Sequence, residues 1–180
     1  MKLYVIGGKA QSGKNTLAKY IKGELKNSGH KPCLMHITEP LYTYAKKYFE
    51  WNERSDAKPR EFLQQMGIEV IKHKLGKDTF LLDRIAEDIE ILDEFFDAFI
   101  ISDARLKMEF DYFAEKYPDT TIIIVERKDF DTGLTDKEKN HITETDLDNF
   151  EDYDYKVINE GIVNLKKCAK LIVDETKEGE

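Results

Sequence analysis

The sequence has no excess of positive charge: 28 Lys and Arg stand against 36 Asp and Glu, for a formal net charge of −8. Non-specific binding to nucleic acid or to an anionic membrane needs a basic field, so neither partner is expected. No run of about 18 apolar residues exists, which excludes a membrane-spanning helix. The apolar start, Leu3-Tyr4-Val5-Ile6, meets glycine at once. That is too short for the core of a signal peptide, and no small-residue cleavage site follows, so a cytoplasmic protein is expected. Cysteine is scarce as well. Cys33 and Cys168 lie far apart with no CxxC spacing, which points to two reduced thiols and away from a disulfide or a zinc site. His30, His36, His73 and His141 show no metal-ligand spacing either.

What is present is enough for one core. A chain of 180 residues with 41% hydrophobic content falls within the size of a single domain. The charged fraction is 36%, yet Leu, Ile, Val and Phe recur with clear periodicity, so the charge belongs on the surface of a folded protein. Against a negative overall field, a phosphate-bearing ligand must be held by a few local cations and by backbone N–H groups.

Residues 3–6 read as a short buried strand that runs into Gly7-Gly8. From Thr16 onward Leu17, Ala18, Ile21 and Leu25 follow helical spacing, with Lys19, Lys22 and Lys26 on the other face. Asn27-Ser28-Gly29 ends that helix, and Cys33 to Ile37 reads as a second strand. Strand, glycine loop, helix and strand form a βαβ unit, which implies a parallel sheet and a right-handed crossover. Pro40 to Phe49 and the stretch from about 59 to 96 read as helical. Phe99-Ile100-Ile101 is a third strand ending at Ser102-Asp103. Leu106, Phe110, Phe113 and Tyr117 mark another helix, and Thr120 to Val125, rich in β-branched residues, a fourth strand. Residues 128–154 hold many Asp, Glu, Thr and Asn and few apolar residues, and read as a mobile excursion. Tyr155 to Ile158 is a fifth strand, followed by a closing helix with Ile162, Leu165, Ala169 and Ile172 on one face.

Gly8-Lys9-Ala10-Gln11-Ser12-Gly13-Lys14-Asn15-Thr16 fits the phosphate-loop pattern G-x-x-x-x-G-K, here followed by Asn-Thr. The chemistry accounts for each part. Gly8 and Gly13 permit positive φ and let backbone N–H groups approach phosphate oxygens. The helix starting near Lys14 aims its unsatisfied N–H groups and positive dipole end at the same anion. Lys14 adds a full charge for the β- and γ-phosphates of ATP. Asn15 stands where Ser or Thr usually follows the lysine, so Thr16 is expected to supply the hydroxyl for Mg²⁺. A chance glycine-rich turn between strand and helix would share part of this pattern, but the required strand before and helix after are both read here.

The G-x-x-x-x-G-K-x-T form resembles nucleoside monophosphate kinases, and further stretches resemble the deoxynucleoside monophosphate kinases of phages and their bacterial relatives. Thr38-Glu39-Pro40-Leu41 is similar to the start of that family's acceptor region. Arg60-Glu61-Phe62-Leu63-Gln64-Gln65-Met66-Gly67-Ile68-Glu69 resembles its Arg-x-x-Leu-Gln-x-x-Gly-Thr-Glu segment, with Ile68 in place of Thr. Ser102-Asp103-Ala104-Arg105 resembles its Asp-x-Arg turn, and His141-Ile142-Thr143-Glu144 a His-x-Ser-Glu element of its lid. Ile158-Asn159-Glu160-Gly161, then Leu165, resembles the ending that lies beside the adenine. Lys72 stands where the family has Arg, and Tyr42 where it often has Lys. The matches run in order along nearly the whole chain. The resemblance implies a three-layer α/β domain over 1–180, with a five-stranded parallel sheet in the order 2-3-1-4-5. It also implies a helical acceptor region at about 38–96 and a lid at about 128–154.

Several residues then receive expected roles beside plainer ones. Arg60 would clamp the acceptor phosphate, although a helix-surface arginine would read the same way. Gln64, one turn on, would read a base edge or be solvated, and Glu39 would shape the acceptor pocket. Asp103, at the carboxyl end of a strand, would hold Mg²⁺ or a metal-bound water, an exposed turn aspartate being the plain alternative. Arg105 would face the transferring phosphate or pair with Glu109 four residues on. Arg127, opening the 128–154 excursion, would neutralise transition-state charge. Asn159 and Gly161 would lie at the nucleotide base, as the resemblance implies. The whole reads as an ATP- and Mg²⁺-dependent kinase for a small nucleotide, a (deoxy)nucleoside monophosphate. Two rivals stay open: a kinase with a hydroxyl acceptor, of nucleoside or dephospho-coenzyme A type, and a nucleotide-binding module without catalysis. The oligomeric state, homodimer or otherwise, is not written in the sequence.

Overall fold

The computed structural model describes all residues except Ser55, Lys58, Asp129, Gly179 and Glu180, and only the backbone of Lys177 and Glu178. It comprises two compact units, Met1–Met35 with Ile91–Glu180, and His36–Glu90.

The first unit is built on five strands, β1 (Lys2–Gly7), β2 (Pro32–Met35), β3 (Ala98–Ala104), β4 (Thr120–Glu126) and β5 (Tyr155–Ile158). All neighbouring pairs are parallel, in the order β2-β3-β1-β4-β5. The order expected from the resemblance is therefore the observed one. A parallel sheet is covered on both faces, so its strands need apolar residues at successive positions. Leu3, Tyr4, Val5 and Ile6 are all buried for this reason. One face, carrying Tyr4, Ile6, Ile100, Ile123 and Val125, packs with Leu17, Ala18, Ile21 and Leu25 of α1 (Lys14–Asn27) and Leu165, Ala169, Ile172 and Val173 of the last helix. The alternate residues Leu3, Val5, Phe99 and Ile101 point the other way. They are buried, as are Phe110 and Phe113 of the helix that follows β3. Gly7 takes part in this second layer, because a Cβ there would lie 2.3 Å from Phe110 Cζ. At Gly7 the β1–β3 register also shifts, between Val5↔Ile101 and Gly7↔Ala104.

The second unit is helical, with α2 (Glu39–Tyr48), α3 (Arg60–Gln64), a π-helical stretch (Gln65–Lys74) and most of α4 (Phe80–Leu92). Pro40 sits in the first turn of α2, where its missing N–H costs nothing. Phe49 and Phe62 meet edge to face, with centroids 4.8 Å apart. The sequence reading of one helical stretch over about 59–96 is thus resolved into three elements, and the middle one is π-helical. Gly67 within it lies where a Cβ would come to 3.2 Å of Leu41 Cδ1.

The chain closes through α5 (Lys107–Lys116), α6 (Asp136–Lys139), α7 (Ile142–Thr145) and α8 (Ile162–Glu178). One boundary differs from expectation: β3 runs on through Ala104, past Ser102 and Asp103. Between residues 128 and 154, Phe150 is buried and stacks on Phe110, with ring centroids 4.9 Å apart. Asp154 exchanges two bonds with Ile122, N–H to carbonyl and carboxylate from N–H. No helix among the described residues is long and apolar enough to cross a membrane.

Candidate active site

The loop between β1 and α1 owes its shape to three left-handed residues, Gly8 (φ 138°), Gln11 (φ 57°) and Gly13 (φ 107°). The two glycines are sterically required. A Cβ on Gly8 would lie 2.2 Å from the Val125 carbonyl oxygen, and one on Gly13 would lie 2.5 Å from Asn159 Nδ2. Gly13 is the N-cap residue of α1, its carbonyl accepting the Thr16 and Leu17 N–H groups at 3.0 and 2.9 Å, and the helix turns its positive dipole end toward the loop. The Lys14 side chain folds back across the loop and donates from Nζ to the carbonyls of Gly8 and Lys9, both at 2.6 Å. Lys14 is only 6% exposed, so its charge lies within the loop. Ser12 Oγ is buried and meets no hydrogen-bond partner among the described residues. Helix dipole, lysine, orphaned hydroxyl and Cβ-free approaches form a cradle that fits a polyphosphate.

The two flanking strands hold that cradle. From the end of β5, Asn159 Nδ2 donates to the Ser12 carbonyl at 2.8 Å, and Asn159 Oδ1 accepts the Gly161 N–H. At the carboxyl end of β3, Ser102 Oγ donates to Asn15 Oδ1 at 3.2 Å, which puts the first turn of α1 beside Ser102 and Asp103. Open parallel sheets bind their ligands at this edge.

Arg105 follows directly. Its backbone N–H and that of Leu106 donate to Glu109 Oε2 at 2.7 and 3.1 Å, opening α5. Its guanidinium pairs instead with Glu144 of α7, whose other carboxylate oxygen accepts the Ala10 N–H at 2.7 Å. Around that contact Lys9 pairs with Asp148 at 2.6 Å, Gln11 Nε2 donates to the Thr132 carbonyl at 2.7 Å, and Lys107 N–H to Asp146 at 2.6 Å.

The structure therefore brings together Gly8 to Thr16, Asp103, Arg105, Asn159 and Gly161 in the first unit. Arg127 directly follows β4 and is exposed, with its guanidinium 3.6 Å from the centre of the Phe130 ring. Glu39, Arg60 and Gln64 belong to the second unit, Glu39 exposed at the start of α2 and the other two half-buried one turn apart on α3. Two residues of this arrangement have no role in the sequence reading. Ser102 is fully buried at a strand end, and polar residues so placed are a signal worth reading. Glu144 carried only its place in the His-Ile-Thr-Glu element. Both find partners far along the chain, which local pattern does not show.

For a divalent cation, no group of three or more His, Cys, Asp or Glu residues is gathered among the described residues. Mg²⁺ in kinases is held chiefly by substrate phosphates and one or two protein oxygens. The hard oxygens near the α1–β3 contact, Thr16 and Asp103, fit that demand.

A family model described as deoxynucleotide monophosphate kinase matches residues 36–168. Among solved structures, the chain is similar to an unliganded sugar kinase from Janibacter sp. HTCC2649, with 14% identity and a TM-score of 0.55 over 97% of this chain and 95% of that one. It is also similar to shikimate kinase from Aquifex aeolicus vf5, with 13% identity and a TM-score of 0.50 over the whole of both chains. At such identities the likeness is one of fold, that of P-loop kinases. The comparison with curated proteins gives no match.

Proposed function

The chain belongs to the deoxynucleotide monophosphate kinase family, and we propose that this P-loop kinase transfers the γ-phosphoryl group of ATP to a (deoxy)nucleoside monophosphate, giving the diphosphate and ADP. The observation that carries the reading is the Gly8–Thr16 cradle, with Lys14 folded inside it and Ser12 Oγ orphaned beside it. The choice of acceptor rests on the family match, which spans Arg60, Gln64, Asp103 and Arg105.

In this reading the loop N–H groups and Lys14 hold the β- and γ-phosphates, while Asn159 and Gly161 line the nucleotide end. Thr16 and Asp103 hold Mg²⁺, which supplies charge neutralisation on the phosphates when bound. Arg60 binds the acceptor phosphate in bidentate fashion, Gln64 and Glu39 shape the pocket around its nucleoside, and Arg127 adds charge from the lid. An acceptor phosphate oxygen attacks the γ-phosphorus. The bond from that phosphorus to the β–γ bridging oxygen breaks, and its electron pair leaves on ADP. Such a transfer asks for positioning and charge neutralisation more than for covalent help. The region 38–96 acts as the acceptor side and 128–154 as a lid that excludes water.

ADP release with ATP·Mg²⁺ and a panel of acceptors tests this directly. Turnover with one or more monophosphates and none with free nucleosides supports the reading. A preference for a free nucleoside, or ATP binding without turnover on any acceptor, removes it.

A further inference from the structure

One carboxylate joins three parts of the chain. Glu144 Oε2 accepts the Ala10 N–H at 2.7 Å, and Glu144 Oε1 pairs with Arg105 Nη1. The Glu144 side chain is 9% exposed and that of Arg105 is 24% exposed. A charge so withdrawn from water must be paired and hydrogen-bonded, and here a full cation and a peptide dipole do so. Both partners belong to the cradle described above: Ala10 is the third residue of the loop, and Arg105 follows β3.

We propose that Glu144 is a positioning residue for phosphoryl transfer, one that aims the Arg105 guanidinium by tying it to the phosphate loop at Ala10. The inference rests on the kinase reading above. An arginine side chain left to itself samples many rotamers, and its planar fork is useful only in one direction. Glu144 occupies one Nη of that fork, which leaves N–H groups on its other edges to meet a phosphate oxygen. Arg105 in turn neutralises the carboxylate, so Glu144 does not repel the anion beside it.

The surroundings hold Glu144 firmly enough for this task. His141 Nδ1 accepts the Thr143 N–H at the start of α7. Asp146 accepts the Lys107 N–H on the β3 side, and Asp148 pairs with Lys9 on the loop side, both at 2.6 Å. The short helix is thus stitched at its carboxyl end to the two segments whose spacing Glu144 spans. A different role, in which Glu144 competes with phosphate for these donors, makes the opposite forecast for ATP affinity.

The test is a double-mutant cycle of Glu144→Gln and Arg105→Ala, with Glu144→Asp as a third variant. Gln keeps the shape and an acceptor for Ala10 but loses the charge that orients Arg105. Glu144→Gln should lower kcat about 10²-fold, the scale of a small misplacement of a catalytic group. The KM for ATP should stay within about threefold. In the Arg105→Ala background the same change should cost less than about threefold, because Glu144 acts through Arg105. Glu144→Asp, which keeps the charge, should recover part of kcat. Independently of turnover, ¹⁵N NMR should show separate Arg105 guanidinium N–H signals that merge in Glu144→Gln. Should Glu144→Gln fail to fold, the same comparisons are made on Glu144→Ala, which also removes the charge. Unchanged kcat, equal losses in both backgrounds, or tighter ATP binding by Glu144→Gln would each overturn the inference. A wild type that releases no ADP with any acceptor overturns the kinase reading itself, whereas an active wild type with an indifferent Glu144→Gln overturns only this step.

Discussion

Asn159 and Ser12 are 147 residues apart in sequence, yet the Asn159 amide donates to the Ser12 carbonyl at 2.8 Å. One side chain at the end of β5 thereby holds the middle of the phosphate loop, with its own orientation fixed by the Gly161 N–H at 3.0 Å. Asn159→Ala removes both bonds. A net loss of about 1 kcal/mol is expected from the first, measurable as a lowered thermal midpoint. The KM for ATP should rise several-fold while kcat at saturation holds. A variant with unaltered ATP affinity would show that the loop keeps its shape without this strut.

Lys14 sits at the centre of the same loop, bonded to the Gly8 and Lys9 carbonyls. Its removal takes away both the charge meant for the phosphates and two bonds that curl the loop. Lys14→Ala should therefore lower phosphoryl transfer by about 10³-fold, on the scale of losing a preorganised transition-state donor. ATP affinity should fall less, because the backbone cradle and helix dipole remain. Near-normal turnover in single-turnover assays would sink the kinase reading.

Thr16 and Asn15 can be told apart by what each already does. Asn15 Oδ1 accepts from Ser102 Oγ, and Ser102 is fully buried. Asn15→Ala leaves that hydroxyl without its acceptor, so stability should fall by about 1–3 kcal/mol with little change in the Mg²⁺ dependence of turnover. Thr16→Val keeps shape and loses the oxygen, and it should raise the Mg²⁺ needed for half-maximal rate and lower kcat strongly. The reverse ordering in a Mg²⁺ titration refutes Thr16 as the metal-side hydroxyl.

What could be read in the sequence follows from how local each signal is. The β-branched and apolar runs at 3–6 and 120–125 announce strands by themselves, and the glycine loop between strand and helix announces its own turn chemistry. Phe150 does not, because it is one aromatic in a polar run and its burial depends on stacking against Phe110, forty residues earlier. The bonds that tie residues 128–154 to the loop, Lys9 with Asp148 and Ala10 with Glu144, are likewise invisible to any window. The end of β3 is obscured in the sequence for a related reason. Ser102 and Asp103 are polar, but Ser102 is buried and finds its partner on α1. The π-helical stretch Gln65–Lys74 carries buried Gly67, Ile68 and Ile71, a spacing an ordinary helix would show equally well. The strand order, by contrast, is legible only through the family resemblance and not through periodicity.

Ionisation distinguishes a phosphate acceptor from a hydroxyl one. A phosphate monoester has a second pKa near about 6, so at neutral pH its attacking oxygen is already largely anionic. A kinase that acts on a monophosphate therefore needs a clamp for that anion and no general base. A hydroxyl acceptor must instead lose its proton during attack, and it calls for a carboxylate within hydrogen-bond reach. The second unit offers one group of each kind. Arg60 is half-buried at the start of α3, with Gln64 one turn on, and Glu39 is exposed at the start of α2. A long guanidinium held partly out of water suits a bidentate clamp, whereas the Glu39 carboxylate lies exposed at a helix start. Arg60→Ala should then raise the KM for the monophosphate by about 10- to 100-fold, the worth of one charged hydrogen-bonded contact. Glu39→Gln should change kcat less than about threefold, and the pH–rate profile should lose activity only as the acceptor phosphate protonates below about pH 6. If Glu39→Gln abolishes turnover, and a nucleoside without phosphate proves the better acceptor, the carboxylate is a general base and the enzyme phosphorylates a hydroxyl.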